Sequence, residues 1–410
     1  MPSDPIPFDL FTEIASVPEA PVVAGQSDLG QSTSKAITIG THRLADAETT
    51  WQLAKQAFST VGISRVADLT MLDEIGIPVW QAVRPNAATL AVSQGKGISH
   101  DLARVSAAME AIELWHAEQV LDPVVVDCVA DLGRGLPYDI RRLHLVNGSL
   151  LTDRLRIPWI EGTDLLADER ILVPRDYVFL NDVQTSELRA PLFVQSSNGL
   201  ASGNSLNEAI LHGLLEALER DMTSSVNKPS DRQSYRLALD SIGGACSGPL
   251  VDRLRSADIH LRVIECGSSE VACFAVSIWS AAFPFVFDGF GCHFDSDVAM
   301  TRALTEAAQS RLTAIAGARD DLPRTMYREA ARGQSHGPPW PSAAPSARRF
   351  ADIPTTLRPS IEEDLEAAVL HVAERTGQHP VAVDLSHPDV GLPVVRLVTA
   401  GLTMGGHRST

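Results

Sequence analysis

Between Asn198 and Asp221 the apolar residues Leu211, Leu214, Leu215 and Leu218 recur at helical spacing, behind a turn rich in Gly, Asn and Ser. The pattern predicts a helix that starts at Ser205, whose hydroxyl can cap the first free N–H groups. A second helix is predicted from near His100 and a third from Asp297 to about Ala316. Trp51, Leu53, Ala54, Ala57 and Phe58 place another between Asp46 and about Thr60, and one more runs from Ile361 to about Arg375. Short apolar runs predict strands at 89–93, 123–128, 171–174, 261–265, about 271–279, 284–288, 381–385 and 393–398. Trp159 and Glu161 read as structural residues ahead of a turn. The stretch 226–248 reads as a variable loop segment, and the Pro-rich run Gly337 to Ala347 as an exposed loop able to close over substrate. From Val271 to Phe287 the chain is largely apolar, but it is short for a membrane span and Ser277, Ser280 and Pro284 interrupt it.

Polar positions on the three long helices repeat as well. Glu208, His212, Glu216 and Glu219 lie four, eight and eleven residues apart, which puts them along one stripe with Arg220 as the only nearby cation. Ser106, Glu110 and Glu113 form a similar stripe, and so do Arg302, Glu306 and Gln309. Each helix follows glycines read as a turn: Gly95-Lys96-Gly97, Gly199 to Gly203, and Gly289-Phe290-Gly291. Like charges at such spacing repel, and a divalent cation between them relieves the repulsion; Mg²⁺ favours carboxylate together with phosphate oxygen. Convergence of the three stripes on one metal–phosphate site accounts for all of them, the alternative being solvated acidic helix faces. A strand, glycines and a helix in succession suit a phosphate at the helix N-terminus, although the GxxxxGK[ST] spacing of a P-loop is absent.

Composition narrows the picture. With 410 residues, 44% hydrophobic and 21% charged, the chain is long enough for a sizeable core, and a formal net charge of -17 argues against nucleic-acid binding. Cys128, Cys246, Cys266, Cys273 and Cys292 are scattered without CxxC spacing, so neither a disulfide framework nor a zinc site is indicated. They read as buried thiols, with Cys292 the one flanked by site-like residues, and His293 reads as a turn histidine. The start MPSDPIPFDLF lacks the features of a signal peptide, which implies a cytoplasmic protein. Residues 1–37 read as a loosely ordered arm, 38–402 as one domain and 403–410 as a short tail.

The blocks GKGISHDLARVSAAMEAIE, NGLASGNSLNEAILHGLLEALERD and DSDVAMTRALTEAAQSR together resemble the YcaO family, in the family's order and nearly its spacing. GISRVADLTMLDEIGIPVWQAVRP upstream and DLSHPDVGLPVVRLV downstream resemble its stand-alone members, those often encoded beside a TfuA-type partner. The resemblance implies an α+β fold, mixed sheets flanked by helices, with the nucleotide between the three acidic helices. It implies ATP and Mg²⁺ as cofactors, a ribosomal precursor peptide as substrate, a TfuA-like protein as a possible partner, and a homodimer as an unsurprising state. Glu110, Glu113, Glu208, Glu216, Glu219 and Glu306 would hold Mg²⁺; Lys96, Arg220 and Arg302 would meet phosphate oxygens; Ser106, Asn204 and Gln309 would hydrogen-bond nucleotide or carboxylates, with Glu306, Arg302 and Gln309 as the catalytic residues. Arg43, with Thr49, corresponds to a basic residue and a hydroxyl that help hold the nucleotide. One departure stands out: many members end the first block with Glu-Arg, and position 114 here is Leu.

The chemistry so implied is addition of a nucleophile to a backbone amide carbon and phosphorylation of the amide oxygen by ATP. Sulfide would give a thioamide, a substrate Cys, Ser or Thr an azoline, and a substrate amine an amidine. No leader-binding module precedes the blocks and the C-terminal GLTMGGHRST is not Pro-rich, which leans toward thioamide or amidine. An ATP-binding scaffold or regulatory subunit without catalysis is the rival reading, for which Leu114 speaks and against which the intact carboxylate set speaks.

Overall fold

The computed structural model describes residues 34–36, 38–119, 121–132, 135–180, 190–224, 226, 235–319, 327–328, 337–340 and 347–404. The arm up to residue 33, most of the segment 225–234, residues 341–346 of the Pro-rich loop and 405–410 of the tail lie outside them.

Among the described residues three sheets form. The first is a meander of β1 (Arg65–Asp68), β2 (Val79–Val83) and β3 (Val92–Lys96). The second has six strands, β4 (Val125–Asp127), β5 (Ile157–Asp164), β6 (Glu169–Pro174), β7 (Leu200–Ser202), β13 (Val381–Asp384) and β14 (Val394–Val398), in the order β4-β5-β13-β14-β7 with β6 also on β5. In the third, β8 (Tyr235–Leu237), β9 (His260–Glu265), β10 (Ala272–Trp279), β11 (Phe287–His293) and β12 (Ala347–Arg348) follow the order β11-β10-β9-β8-β12. All pairings are antiparallel except β8 with β12. The helices are α1 (Ala47–Gln56), α2 (Phe58–Val61), α3 (His100–Ala117), α4 (Arg175–Val178), α5 (Leu206–Thr223), α6 (Ser247–Ser256), α7 (Ser296–Ala316) and α8 (Ile361–Thr376). This is the expected α+β architecture of mixed sheets flanked by helices.

The three acidic helices start where side chains cap them. Ser99 Oγ accepts from the Leu102 N–H at 3.3 Å, Ser205 Oγ from Glu208 at 3.1 Å, and an Asp295 carboxylate oxygen from Asp297 at 2.9 Å. Each then lies back on its own strand and reaches the strand that leads into the next. α3 packs on β3 and touches β7; α5 packs on β7 and touches β11; α7 packs on β11 and touches β3. The cycle closes, so the polar stripes of α3, α5 and α7 face a common centre.

Glycine makes this close approach possible, and its place differs from the sequence expectation. Gly95-Lys96 ends β3 and Gly289-Phe290-Gly291 sits inside β11, so neither set forms a turn. A Cβ on Gly95 would stand 2.0 Å from Ala107 N and 2.3 Å from Ala103 O; on Gly289, 2.1 Å from Ala307 N and 2.3 Å from Ala303 O. Glycine is required because a helix backbone presses on the strand, with small Ala side chains opposite. Gly95→Ala is therefore expected to destabilise the protein by about 3 kcal/mol or more, while Gly135→Ala, where a Cβ meets nothing within 4 Å, stays neutral. Denaturant midpoints of the two variants check this; equal midpoints would remove the seam as the determinant of helix placement.

β5 departs from expectation too. Trp159 and Glu161 lie in the middle of this eight-residue strand, which Pro158 disguises in the sequence.

Candidate active site

Five carboxylates and three cations meet where the three helices converge. Glu110 and Glu113 come from α3, Glu216 and Glu219 from α5, Glu306 from α7; Lys96 comes from the end of β3, Arg220 from α5 and Arg302 from α7. Lys96 Nζ donates to Glu306 Oε2 at 2.8 Å, tying β3 to α7. The Ser202 N–H and hydroxyl both donate to Glu113 Oε1, at 2.8 and 2.5 Å, tying β7 to α3. Arg302 Nη2 lies 3.1 Å from His212 Nε2, joining α7 to α5. Arg220 Nη2 stands 3.8 Å from Glu216 Oε1 one turn back.

The carboxylates are crowded enough to hold protons. Burial pushes Glu113 up to about 8 against the hydrogen bonds of Ser202, with the charges of Glu110 and Glu216 adding to the rise. Burial raises Glu110 to about 7, opposed by Lys96 and reinforced by Glu216 and Glu306. Glu219 also rises to about 7, through burial first and the Glu306 charge next, and burial lifts Glu216 against the pull of Arg220. Glu306 behaves differently: burial works upward, but Lys96, Arg220 and Arg302 outweigh it and hold the group below the ordinary carboxylate range. Arg220 is driven up, burial being overcome by Glu219, Glu306 and Glu216. Buried oxygen donors that keep protons for want of a counter-charge are what a Mg²⁺ site consists of before the ion arrives, so the donor set fits the metal.

Glu208 is set apart from this group. Only 2% exposed, it accepts from Arg43 Nη1 at 3.1 Å, the Leu44 N–H at 2.8 Å, and Asn204 through N–H at 3.3 Å and Nδ2 at 3.0 Å. Both oxygens are engaged by protein donors, unlike those of the metal-type carboxylates. Thr50, not Thr49, completes the cluster: its hydroxyl donates to Asn204 Oδ1 at 2.8 Å. Thr49 faces solvent and spends its N–H on the Asp46 cap. The side chain one position along the helix points the other way, and spacing alone did not decide between them.

The remaining candidates fall at the edges. Ser106 is half-buried on α3, one turn before Glu110. Gln309 Nε2 donates to Gln94 O at 3.3 Å, while its Oε1 is buried with no hydrogen-bond partner among the described residues. Leu114 is packed in the apolar core, 6% exposed. His293 is the last residue of β11 rather than a turn residue; burial holds it neutral, at about 3, and its Nδ1 accepts from the Asp295 N–H at 2.9 Å. Sequence reasoning missed Arg396, fully buried on β14 over the Tyr177 ring, its guanidinium unpartnered among the described residues and its charge felt by Glu216. A lone Arg in the run Val-Val-Arg-Leu-Val was the available signal. A small cavity of about 20 Å³ between Arg43, Glu208, His212 and Arg302 borders the centre. The roomier one of about 170 Å³, around Val129 to Arg141, shares none of these residues and has no comparable charge cluster.

Comparison with known proteins decides the lineage. Residues 94–403 match the YcaO family model, described as YcaO cyclodehydratase, ATP- and Mg²⁺-binding. The chain belongs to the YcaO family. An uncharacterized Mycobacterium tuberculosis protein is 37% identical over 390 residues, 93% of this chain and 86% of its own length. A Rhizobium leguminosarum bv. trifolii protein, described as an uncharacterized protein in the tfuA 3′ region, is 35% identical over 83% of this chain and 84% of its own. The structure of YcaO from Methanopyrus kandleri bound with AMPPCP and Mg²⁺ superposes with a TM-score of 0.69 at 24% identity, over 91% of this chain and 95% of that one. ATP and Mg²⁺ are thus the cofactors of the YcaO family to which the acidic centre belongs. No helix among the described residues is long and apolar enough to cross a membrane.

Proposed function

We propose that this YcaO protein uses ATP to phosphorylate the oxygen of a peptide backbone amide, in the modification of a ribosomally made precursor peptide. The convergence of Glu110, Glu113, Glu216, Glu219 and Glu306 with Lys96, Arg220 and Arg302 carries the reading. A nucleophile adds to the amide carbon, the amide oxygen attacks the γ-phosphorus and the bond to the ADP oxygen breaks; the former amide oxygen then departs with phosphate. Mg²⁺, when bound, neutralises charge on the phosphate oxygens. The residues of the chain supply the rest, which is mostly positioning and charge. Glu110, Glu113, Glu216 and Glu219 would hold the metal, and Lys96, Arg220 and Arg302 would meet phosphate oxygens. Glu306, ionised between the cations, fixes Lys96 and Arg302 in place. Arg43, Asn204 and Thr50, braced by Glu208, would hold the nucleoside, and Ser106 and Gln309 would hydrogen-bond at the margins. Glu208 thus becomes a positioning residue rather than the metal ligand expected from its stripe.

Glu208→Gln is expected to weaken binding of a non-hydrolysable ATP analogue by about tenfold, as one charged pair to Arg43 is lost and an amide N–H₂ meets the Leu44 and Asn204 donors. Calorimetric titration checks it; an unchanged Kd would exclude the cluster from the nucleotide site.

The product is a thioamide, an azoline or an amidine according to the nucleophile, and the tfuA-region relative favours trials with a TfuA-like partner. The decisive experiment weighs a precursor peptide after incubation with protein, ATP and Mg²⁺, with and without sulfide and partner. Exchange of oxygen for sulfur identifies thioamidation; loss of one water identifies azoline formation or an amidine closed by an amine within the peptide. Tight nucleotide binding with no turnover and no mass change under any condition would instead support the silent scaffold reading that Leu114 raises.

A further inference from the structure

We infer that Cys266 and Cys273 form a site of oxidative modification, closing to a disulfide that loosens the floor under α5. The register of β9, β10 and β11 pairs Cys273 with Cys292 on one side, and the Cys266 N–H donates to Cys273 O at 2.9 Å on the other. Directly paired strand residues share a face, so the three cysteines form a row of thiols. Cys266 Sγ lies 3.9 Å from Cys273 Sγ. Access is graded along the row: Cys266 is half-buried, Cys273 and Cys292 are buried at 0% and 1%. None of the three takes part in the phosphoryl-transfer mechanism.

The row matters because of what rests on it. Cys273 and Cys292 pack in the same apolar cluster as Leu211, Leu214, Leu218 and Met222 of α5, and Cys273 lies close to Arg220. Hydrogen bonds with Cys266 and Cys292, and then burial, keep the Cys273 thiol protonated far above the usual range, so Cys266 is the thiol that meets an oxidant first.

A hydroperoxide transfers oxygen to Cys266 Sγ, giving the sulfenic acid and, from hydrogen peroxide, one water. The Cys273 sulfur then attacks that sulfur, the S–O bond breaks, and a second water leaves with the Cys273 proton. Two thiols and one peroxide become one disulfide and two waters. Opposed strand residues have Cα atoms about 4.5–5.5 Å apart, inside the range a disulfide spans, so closure needs mainly side-chain rotation. It draws Cys273 toward Cys266 and away from Cys292, and the support beneath Glu219 and Arg220 repacks.

The coupling to nucleotide rests on the proposed function, whereas the disulfide does not. The test treats the reduced full-length protein with hydrogen peroxide, alkylates it and cleaves after glutamate. Glu265 and Glu270 bracket Cys266, so segments 266–270 and 271–306 separate unless a disulfide joins them. The two are expected to appear joined, lighter by two hydrogens, with fragmentation placing the link on Cys273 and the alkyl group on Cys292. Affinity for the ATP analogue is expected to fall by about fivefold or more, to return with a thiol reductant, and to stay unaffected by peroxide in Cys266→Ser. Recovery of the segments apart, whether as sulfinic acid on Cys266 or as a Cys273–Cys292 bridge, overturns the site. Joined segments with unchanged affinity overturn the coupling. Failure of the reduced protein to bind nucleotide at all sinks the functional reading and leaves the disulfide result standing.

Discussion

Glu306→Gln is expected to slow peptide-dependent ATP turnover by about 10²–10³-fold, the usual cost of one charged group in a preorganised site, with the fold intact. Glu306 is the one carboxylate of the centre that Lys96, Arg220 and Arg302 hold ionised. Neutralising it frees Lys96 from its 2.8 Å bond and leaves the arginines facing one carboxylate fewer. The Lys96 and Glu306 side chains are 26% and 18% exposed, so the pair itself adds under about 1 kcal/mol to stability and unfolding does not explain the loss. Glu219 responds as well: the Glu306 charge is its leading electrostatic burden, and without it Glu219 titrates lower. Phosphate release at saturating nucleotide, beside the melting temperature, is the measurement. A rate within about threefold of the parent would mean that Glu306 only braces α7 against β3.

Much of this centre was legible because its three helices announce themselves. Ser205, followed by Leu211, Leu214, Leu215 and Leu218, fixes the start and buried face of α5, and with them the placement of Glu216 and Glu219. The convergence of the stripes followed from repetition of one pattern. What the chain concealed was tertiary. Gly95 and Gly289 look like turn residues in a one-dimensional reading, since the helix backbone that excludes a Cβ is not visible there. Glu208 and Glu216 share a stripe, yet one has four protein donors and the other faces its own kind; the difference lies in Arg43 and Leu44, more than 160 residues away in sequence. The thiol row was hidden for the same reason, since strand register and not spacing brings Cys266 to Cys273.

The metal-free protein is expected to lose stability as pH rises from about 6.5 to about 8, and Mg²⁺ to restore it. Glu110 and Glu219 titrate at about 7 and Glu113 at about 8 in the fold, against an ordinary value of 4.5. Across the interval between, the folded chain binds more protons than the unfolded one, so the slope of stability with pH is negative. The contribution is complete below about 4.5 and gone once pH passes the folded values. Glu110 and Glu113 keep an edge open to solvent, and after discounting for that screening the loss is of the order of a few kcal/mol. Histidines lowered by burial, His212 and His293, act in the opposite sense and offset part of the loss below their ordinary 6.5, where their gain is complete, so the loss is unopposed from there to about 8. Mg²⁺ must displace the retained protons, so its affinity rises with pH up to about 8 and levels beyond. Calorimetric titration of Mg²⁺ at about pH 7 in two buffers of different ionisation enthalpy is expected to report release of about one proton or more per ion. Glu113→Gln removes the step nearest pH 8, because the residue that keeps its proton longest is gone. Binding without proton release would mean that the ion enters elsewhere, and that the crowding of α3 against α5 serves another cation.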